Sequence, residues 1–91
     1  MELIYEAHRI YGKAEDGEIL AEIDFPEVAP RVVDLNHTYV SEKLRGQGMA
    51  GKLMAAAVEI IEKNGWRTRT SCSYAQGWMA KHPEKAGILD V

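Results

Sequence analysis

Three glycines in the segment LRGQGMAGKL, residues 44–53, have the spacing of a loop that binds phosphate groups. Gly46, Gly48 and Gly51 satisfy G-x-G-x-x-G, and a second pattern, G-x-x-x-x-G-K, also begins at Gly46. A third pattern, R-x-x-G-x-A, begins at Arg45. All three describe phosphate-binding loops from different classes of protein, so the surrounding elements must decide between them.

The context of the loop argues against the first two patterns. A nucleotide-binding P-loop needs Ser or Thr after its lysine to hold Mg²⁺, and Leu53 occupies that place. A dinucleotide-binding loop needs its first glycine directly after a strand and an acidic residue about 20 residues further on. Here residues 41–45 intervene, and the next strand carries no acid. We therefore expect neither ATP nor a nicotinamide dinucleotide as cofactor.

The third pattern fits its context. A strand ends at Val40, a short arm follows, and the glycine-rich residues run into the strongest helical pattern of the chain. Successive backbone N–H groups at a helix N-terminus form a cradle for anionic oxygens. Gly46 and Gly48 allow close approach of the backbone, and Arg45 adds positive charge at the rim.

The elements that position this loop are predicted to be three strands before it. Alternating apolar and acidic residues over 19–25 predict a half-buried strand, and Asp16-Gly17 predicts the turn to its partner over about residues 3–12. A third strand is predicted over residues 31–40, with Val33, Leu35, His37 and Tyr39 sharing one face.

The loop is followed by a predicted βαβ crossover. Ala50, Met54, Ala57 and Ile61 form an apolar stripe at helical spacing, and Asn64-Gly65 predicts the end of the helix. A strand over 66–74 should then lie parallel to the strand before the loop. A short C-terminal helix is predicted in AQGWMAKH, and the fold class is therefore α+β, with a mixed sheet.

The segment VSEKLRGQGMAGKLMAAAVE resembles the acetyl-CoA-binding segment of the GNAT superfamily of N-acetyltransferases. Arg45, Gly48 and Ala50 match its signature [Q/R]-x-x-G-x-[G/A]. With NHTYV before it and CSYAQGWMAKHPE after it, the chain is similar over about residues 15–91 to a group of very small GNAT-like proteins. The resemblance implies a minimal GNAT-like fold, with a mostly antiparallel sheet and one parallel crossover, in a single acetyl-CoA-binding domain spanning residues 1–91.

The resemblance also implies where the cofactor lies. In GNAT proteins the two parallel strands that flank the helix splay apart, pantetheine lies in the notch between them, and pyrophosphate lies on the loop amides. Carried onto this sequence, the residues expected to contact acetyl-CoA or CoA are Tyr39, Val40, Lys43, Arg45, Gly46, Gln47, Gly48, Met49, Ala50, Cys72 and Tyr74.

The expected function is transfer of acetyl from acetyl-CoA to an unknown primary amine, on a small molecule or a protein. The alternative is a non-catalytic acetyl-CoA-binding module that docks a protein partner. Two features depart from the family. A tight turn at Asp16-Gly17 replaces helices that help to build the acceptor pocket, and Trp78 and Met79 stand where many relatives have a tyrosine that protonates the departing thiolate.

Two residues are candidates for catalysis. Cys72 either lines the notch, takes the acetyl group as a nucleophile, or is a small buried hydrophobe. His37 is a possible base, although its place beside Val33 and Leu35 favours a packed, hydrogen-bonded histidine. With three scattered histidines and one cysteine, no metal site is expected.

Composition limits the other classes of function. The chain has 91 residues with a net charge of −3, which indicates one small domain and not a nucleic-acid-binding protein. The single cysteine excludes an internal disulfide, and no segment reads as a signal peptide or membrane span, so a monomeric cytoplasmic protein is expected. Residues 1–40 carry nine acidic and three basic side chains, whereas residues 41–91 carry five acidic and eight basic ones. The phosphate-type loop therefore lies in the basic half.

Overall fold

The computed structural model describes residues 1–90 and contains seven strands and two α-helices. In chain order they are β1 (Glu2–Glu6), β2 (Arg9–Lys13), β3 (Ile19–Asp24), β4 (Glu27–Ala29), β5 (Val32–Asp34), β6 (His37–Val40), α1 (Met49–Lys63), β7 (Arg67–Arg69) and α2 (Ser73–Lys81), with 3₁₀ helices at Glu42–Leu44 and Pro83–Ile88. Within residues 1–90 no helix has the length and apolar character to cross a membrane.

A four-stranded antiparallel sheet in the order β1-β2-β3-β6 forms the larger layer. The predicted turn at Asp16-Gly17 does join β2 to β3, with Gly17 at φ +90°. The prediction of one partner strand over 3–12 is wrong, because the chain reverses at Ala7-His8 and forms two strands. A Met1 side chain lies against Gly12, where β2 is irregular.

The predicted strand over 31–40 is two strands in different sheets. β5 pairs with β4 and lies parallel to β7, with Val33 opposite Thr68, so the predicted parallel crossover is confirmed. β6 instead pairs with β3. Val33 and Leu35 are each 1 % exposed, whereas His37 is exposed, so the chain changes its buried face between Leu35 and His37. The prediction that these residues share one face is therefore wrong.

Helix α1 packs on one face of the sheets and supplies much of the core. Leu53, Met54, Ala57 and Ile61 are fully buried, and α1 contacts β2, β3, β6 and β7. The predicted end at Asn64-Gly65 is confirmed: Asn64 is the C-cap, and Gly65 has φ +67°. The opposite face of the four-stranded sheet, which we call the open face, is not covered by α1.

The C-terminal region is more helical than predicted. β7 ends at Arg69 and α2 begins at Ser73, so the prediction of a strand reaching residue 74 is wrong. The amide of Leu35 donates to Arg69 O and that of Cys72 to Leu35 O, after which the chain turns into α2. The expected single domain extends to Val91, which lies outside the described residues.

Candidate functional site

The loop before α1 has the backbone conformation that its glycines predict. Ser41 caps the 3₁₀ helix Glu42–Leu44 by accepting a hydrogen bond from the Lys43 amide at 3.2 Å. Gly46 and Gly48 then have φ +81° and +68°, in the left-handed region that other residues avoid. These two inversions turn the chain sharply from the 3₁₀ helix into the first turn of α1.

Six consecutive amides in this loop are free. Among residues 1–90, the N–H groups of residues 46–51 donate to no other group, and the first intrahelical bond runs from Lys52 N to Gly48 O at 3.1 Å. Gly48, the N-cap residue, has no side chain that could satisfy them. A Cβ built at Gly46 or Gly48 meets no protein atom within 4 Å, so the space before these amides is open. The residues present therefore fit a pyrophosphate.

The basic side chains around the loop are not equally available. Lys43 Nζ lies 2.6 Å from Glu18 Oε1, and this hydrogen bond raises the pKa of Lys43. Arg45 is 75 % exposed, and its contact with the exposed Glu42 carboxylate is long, at 3.7 Å. Its guanidinium is therefore free to turn toward a phosphate. Gln47 is exposed as well. Of the two predicted cationic residues, Arg45 is thus the one whose side chain is more available to bind a phosphate.

The other predicted loop residues surround the first turn of α1. Met49 and Ala50 are half-buried, and Met49 packs against the core. Tyr74, in the first turn of α2, is 39 % exposed, and its hydroxyl lies 3.6 Å from the position of a Cβ on Gly51. The structure therefore brings Tyr74 beside the predicted loop.

A notch opens where the two sheets separate. The vertex of the notch is the hydrogen bond between the backbones of Leu35 and Cys72. The Ser71 amide donates to Asp34 Oδ1 at 3.0 Å, and this bond fixes the segment that precedes Cys72. β6 is the last strand of its sheet, so its outer edge has no strand neighbour. The notch thus runs from Leu35 along the outer edge of β6 toward the free amides.

Cys72 lies inside this notch. Its Sγ is 3.7 Å from Thr38 Oγ1, and the residue is half-buried at the N-cap of α2. Burial raises the pKa of the Cys72 thiol, but hydrogen bonding with the Ala75 amide and with the Thr38 side chain outweighs the effect of burial and lowers the pKa below its ordinary value. Cys72 is thus partly buried against the core, and its role stays a prediction.

His37 and Tyr39 lie on the open face instead of in the core. His37 stands opposite Asp24 and Tyr39 opposite Glu22, and Tyr39 is 43 % exposed. The expected packed histidine is therefore wrong, because the change of face after Leu35 turns His37 outward. Val40, the other predicted neighbour of the thioester, is half-buried on the side of α1.

Beside His37 lies a charged cluster that the sequence did not reveal. Arg9 donates two hydrogen bonds to Glu22, at 3.0 and 2.9 Å, and these lower the pKa of Glu22. Burial, together with the neighbouring Glu22, raises the pKa of Asp24 to about 6. The only signal was the alternation of acids along β3, which a solvated strand face also produces.

No tyrosine of α2 occupies the positions expected for a proton donor. The Trp78 ring stacks on His82 with centroids 3.7 Å apart, and Met79 is 7 % exposed in the core. Both side chains are therefore used in packing α2 against the rest of the molecule.

Sequence comparisons identify proteins that are related to this chain. The sequence profile of the family described as GCN5-related N-acetyl-transferase matches residues 9–88. Protein NATD1 of Bos taurus is 36 % identical over 56 residues, covering 62 % of this chain and 50 % of that protein. Protein NATD1 of Gallus gallus is 34 % identical over 56 residues. The chain thus spans about half the length of these curated relatives.

Solved structures agree in fold. A GCN5-like protein from Staphylococcus aureus, solved by NMR, superposes with a TM-score of 0.77 at 31 % identity, covering 98 % of this chain and 87 % of the other. A ribosomal-protein-alanine N-acetyltransferase from Brucella melitensis gives a TM-score of 0.57 at 16 % identity, covering 91 % of this chain and 62 % of the other. The second likeness concerns the fold alone.

Proposed function

The chain belongs to the GCN5-related N-acetyltransferase family, and on that premise we propose that it transfers the acetyl group of acetyl-CoA to a primary amine. One observation carries the proposal: six free amides at the start of α1 adjoin a notch that separates two sheets. Free amides at a helix N-terminus bind phosphate, and the family generally uses acetyl-CoA as co-substrate.

The residues that would hold the cofactor follow from the same geometry. Pyrophosphate would bind the amides of residues 46–51, with Arg45 as an accessory cation. Pantetheine would be held by the outer edge of β6, and Thr38 and Cys72 at the vertex would be the neighbours of the thioester. The lowered pKa of Cys72 marks a polar, hydrogen-bonding environment at this place.

The chemistry needs few side chains. The amine nitrogen attacks the thioester carbonyl carbon, the C–N bond forms, and the C–S bond then breaks to release a thiolate. Free N–H groups at the edge of β6 can stabilise the oxyanion that forms between these steps. A thiol has a pKa of about 8.5, so its thiolate leaves tolerably near neutral pH without a tyrosine donor. Absence of the donor costs about 10²–10⁴-fold, which predicts a slow enzyme.

Binding and turnover must be tested separately. Calorimetry should detect CoA and acetyl-CoA binding, and release of free thiol from acetyl-CoA should rise above the protein-free rate with members of a panel of alkyl and aryl amines. Acetyl-CoA binding without turnover on any amine would leave the second candidate, a CoA-binding module whose uncovered sheet face meets a partner. Failure to bind CoA would overturn both.

A further inference from the structure

Asp34 and Ser71 form a hydrogen-bonded pair, which we call the clamp, between the end of β5 and the chain before α2. Asp34 Oδ1 accepts a hydrogen bond from the Ser71 amide at 3.0 Å, and Asp34 Oδ2 accepts one from the Ser71 hydroxyl at 2.5 Å. Hydrogen bonds to an ionised carboxylate are shorter and stronger than those between neutral groups. Both oxygens of Asp34 thus bind one residue that lies 37 positions further along the chain.

The clamp lies where the two walls of the notch separate. One wall continues from Asp34 through Leu35 into β6, and the other continues from Ser71 through Cys72 into α2. Past the clamp, the Cys72 amide donates to Leu35 O at 3.1 Å, and Cys72 Sγ lies 3.7 Å from Thr38 Oγ1. The clamp is therefore adjacent to the place where the thioester is expected.

Residues 70–72 belong to no strand or helix that would hold them in place. Within residues 1–90, three hydrogen bonds tie this segment to residues 34–35, and two of them belong to the clamp. The bond from Gln76 Nε2 to Thr70 O, at 2.9 Å, joins the segment only to the helix that follows it. The position of Cys72 relative to β6 thus depends mainly on the clamp.

We propose that Asp34 is a positioning residue for acetyl transfer, because the clamp holds Cys72 and the start of α2 at a fixed distance from β6. This inference rests on the proposed function and deepens it by naming the residue that sets the geometry of the notch. The free amides of residues 46–51 belong to a different segment, so loss of the clamp should disturb the thioester and leave pyrophosphate binding intact. A displacement of about 1 Å between reacting groups can lower a rate by about 10²-fold.

Three variants and one control test the clamp. Asp34→Ala removes both acceptors, whereas Ser71→Ala removes the hydroxyl bond and leaves the carboxylate charge in place. Ser71→Thr keeps the amide and the hydroxyl, and the added methyl falls on an exposed residue. Asp90→Ala is the matched control, because it removes a carboxylate that accepts a hydrogen bond from Arg69, 3.3 Å away, at the end of β7.

The first readout separates binding from turnover. Asp34→Ala should lower kcat for an acetylated amine by about 10- to 100-fold, since the thioester is no longer held against β6. The Kd for CoA, measured by calorimetry, should stay close to the wild-type value. Ser71→Ala should show a smaller loss in kcat, and Ser71→Thr and Asp90→Ala should behave as the wild type does.

The second readout needs neither an amine nor turnover. The rate of alkylation by iodoacetamide, followed against pH, gives the pKa of the Cys72 thiol, and the chain contains only this cysteine. Burial raises that pKa, and hydrogen bonds with Ala75 and Thr38 lower it. Without the clamp these hydrogen bonds should lengthen, so the pKa should rise in Asp34→Ala and in Ser71→Ala. Removal of a negative charge alone would lower the pKa, so the direction of the change distinguishes positioning from direct electrostatics.

A positioning role requires both readouts to change. A loss in kcat matched by an equal loss of CoA affinity, a change in only one of the two readouts, or the same changes in Asp90→Ala would overturn the proposal. If Asp34→Ala does not fold, the comparison of Ser71→Ala with Ser71→Thr supplies the same test. If the wild type binds CoA but acetylates no amine, the proposed function fails, and the pKa of Cys72 alone decides whether the clamp positions this residue.

Discussion

The loop before α1 and the open face of the sheet meet at one notch but are built on opposite principles. The loop presents backbone amides. Its glycines carry no side chain, Arg45 is exposed, and Lys43 is hydrogen-bonded to Glu18. The open face presents side chains from four antiparallel strands. The conformation of the loop thus depends on local sequence, whereas the arrangement of the open face depends on how strands pair.

The two regions also differ in what they cost in folding free energy. The loop amides need no charge to be buried, and the left-handed conformations fall on glycines, which adopt them freely. Asp24 is half-buried beside Glu22, and both the burial and this neighbouring carboxylate disfavour its charged form. The open face therefore carries an electrostatic cost that the loop avoids.

The largest expected effect comes from breaking the loop. Gly48→Val places a β-branched side chain at φ +68°, which distorts the free amides and fills the space before them. Loss of two or three charge-assisted hydrogen bonds, each contributing about 1.5–3 kcal/mol, should weaken CoA binding by at least about 100-fold in calorimetry.

The effect of backbone strain in Gly48→Val must be distinguished from the loss of the phosphate-binding amides. Gly17→Val supplies the matched control, because Gly17 has φ +90° in the β2–β3 turn and lies outside the loop. Its thermal stability should fall about as far as that of Gly48→Val, while its CoA affinity stays at the wild-type value. Equal CoA affinity in the wild type and Gly48→Val would refute the assignment of the loop.

The same contrast explains what the sequence could predict. Arg45, Gly48 and Ala50 lie within six residues and act through local backbone conformation, so a linear pattern was enough to find them. The helix end at Asn64-Gly65 was found for the same reason. Asp24 and His37 are 13 positions apart and meet only through the β3–β6 register, which no local pattern encodes.

The division of residues 31–40 into two strands shows the limit most clearly. Val33, Leu35, His37 and Tyr39 have the alternation of one continuous strand, and that pattern predicted one buried face. The chain changes its face between Leu35 and His37 because β5 pairs with β7 and β6 pairs with β3. The spacing of apolar residues does not show which distant strand a given strand will pair with.

A moderate effect is expected on stability when Asp24 is neutralised. Its pKa rises from 3.8 in the unfolded chain to about 6 in the fold, so the native state binds more protons between these values and loses stability as pH rises through them. Asp24→Asn should therefore be more stable than wild type above about pH 6, by up to about 3 kcal/mol, since the pKa rises by about two units and one unit is about 1.4 kcal/mol.

Urea unfolding at several pH values checks this. The advantage of Asp24→Asn should shrink as the pH falls from 6 and disappear below about pH 4, where the wild-type carboxyl is protonated in both states. An advantage that persists unchanged at acid pH would mean that the substitution acts through packing and not through charge.

A smaller effect distinguishes the two cations of the loop. Arg45→Ala should weaken CoA binding about three- to tenfold, because an exposed cation contributes about 1 kcal/mol to an ion pair. Lys43→Ala should change it less than twofold, because Lys43 Nζ is held by Glu18 at 2.6 Å. Raising the salt concentration should reduce the Arg45 effect. A larger loss in Lys43→Ala would mean that CoA displaces Glu18.

The smallest effect is expected at Cys72. Direct attack by the amine requires no enzyme thiol, so Cys72→Ala should retain turnover within about threefold, with only a lost notch contact and its Thr38 hydrogen bond. A two-step route instead requires the thiolate to take the acetyl group first, and the lowered pKa of Cys72 makes that route chemically accessible. Exchange of one thioester for another is nearly balanced in energy, so an acetylated Cys72 would accumulate. Mass spectrometry after incubation with acetyl-CoA alone separates the routes: a hydroxylamine-sensitive acetyl adduct on Cys72, together with loss of turnover in Cys72→Ala, would replace direct transfer by the two-step mechanism.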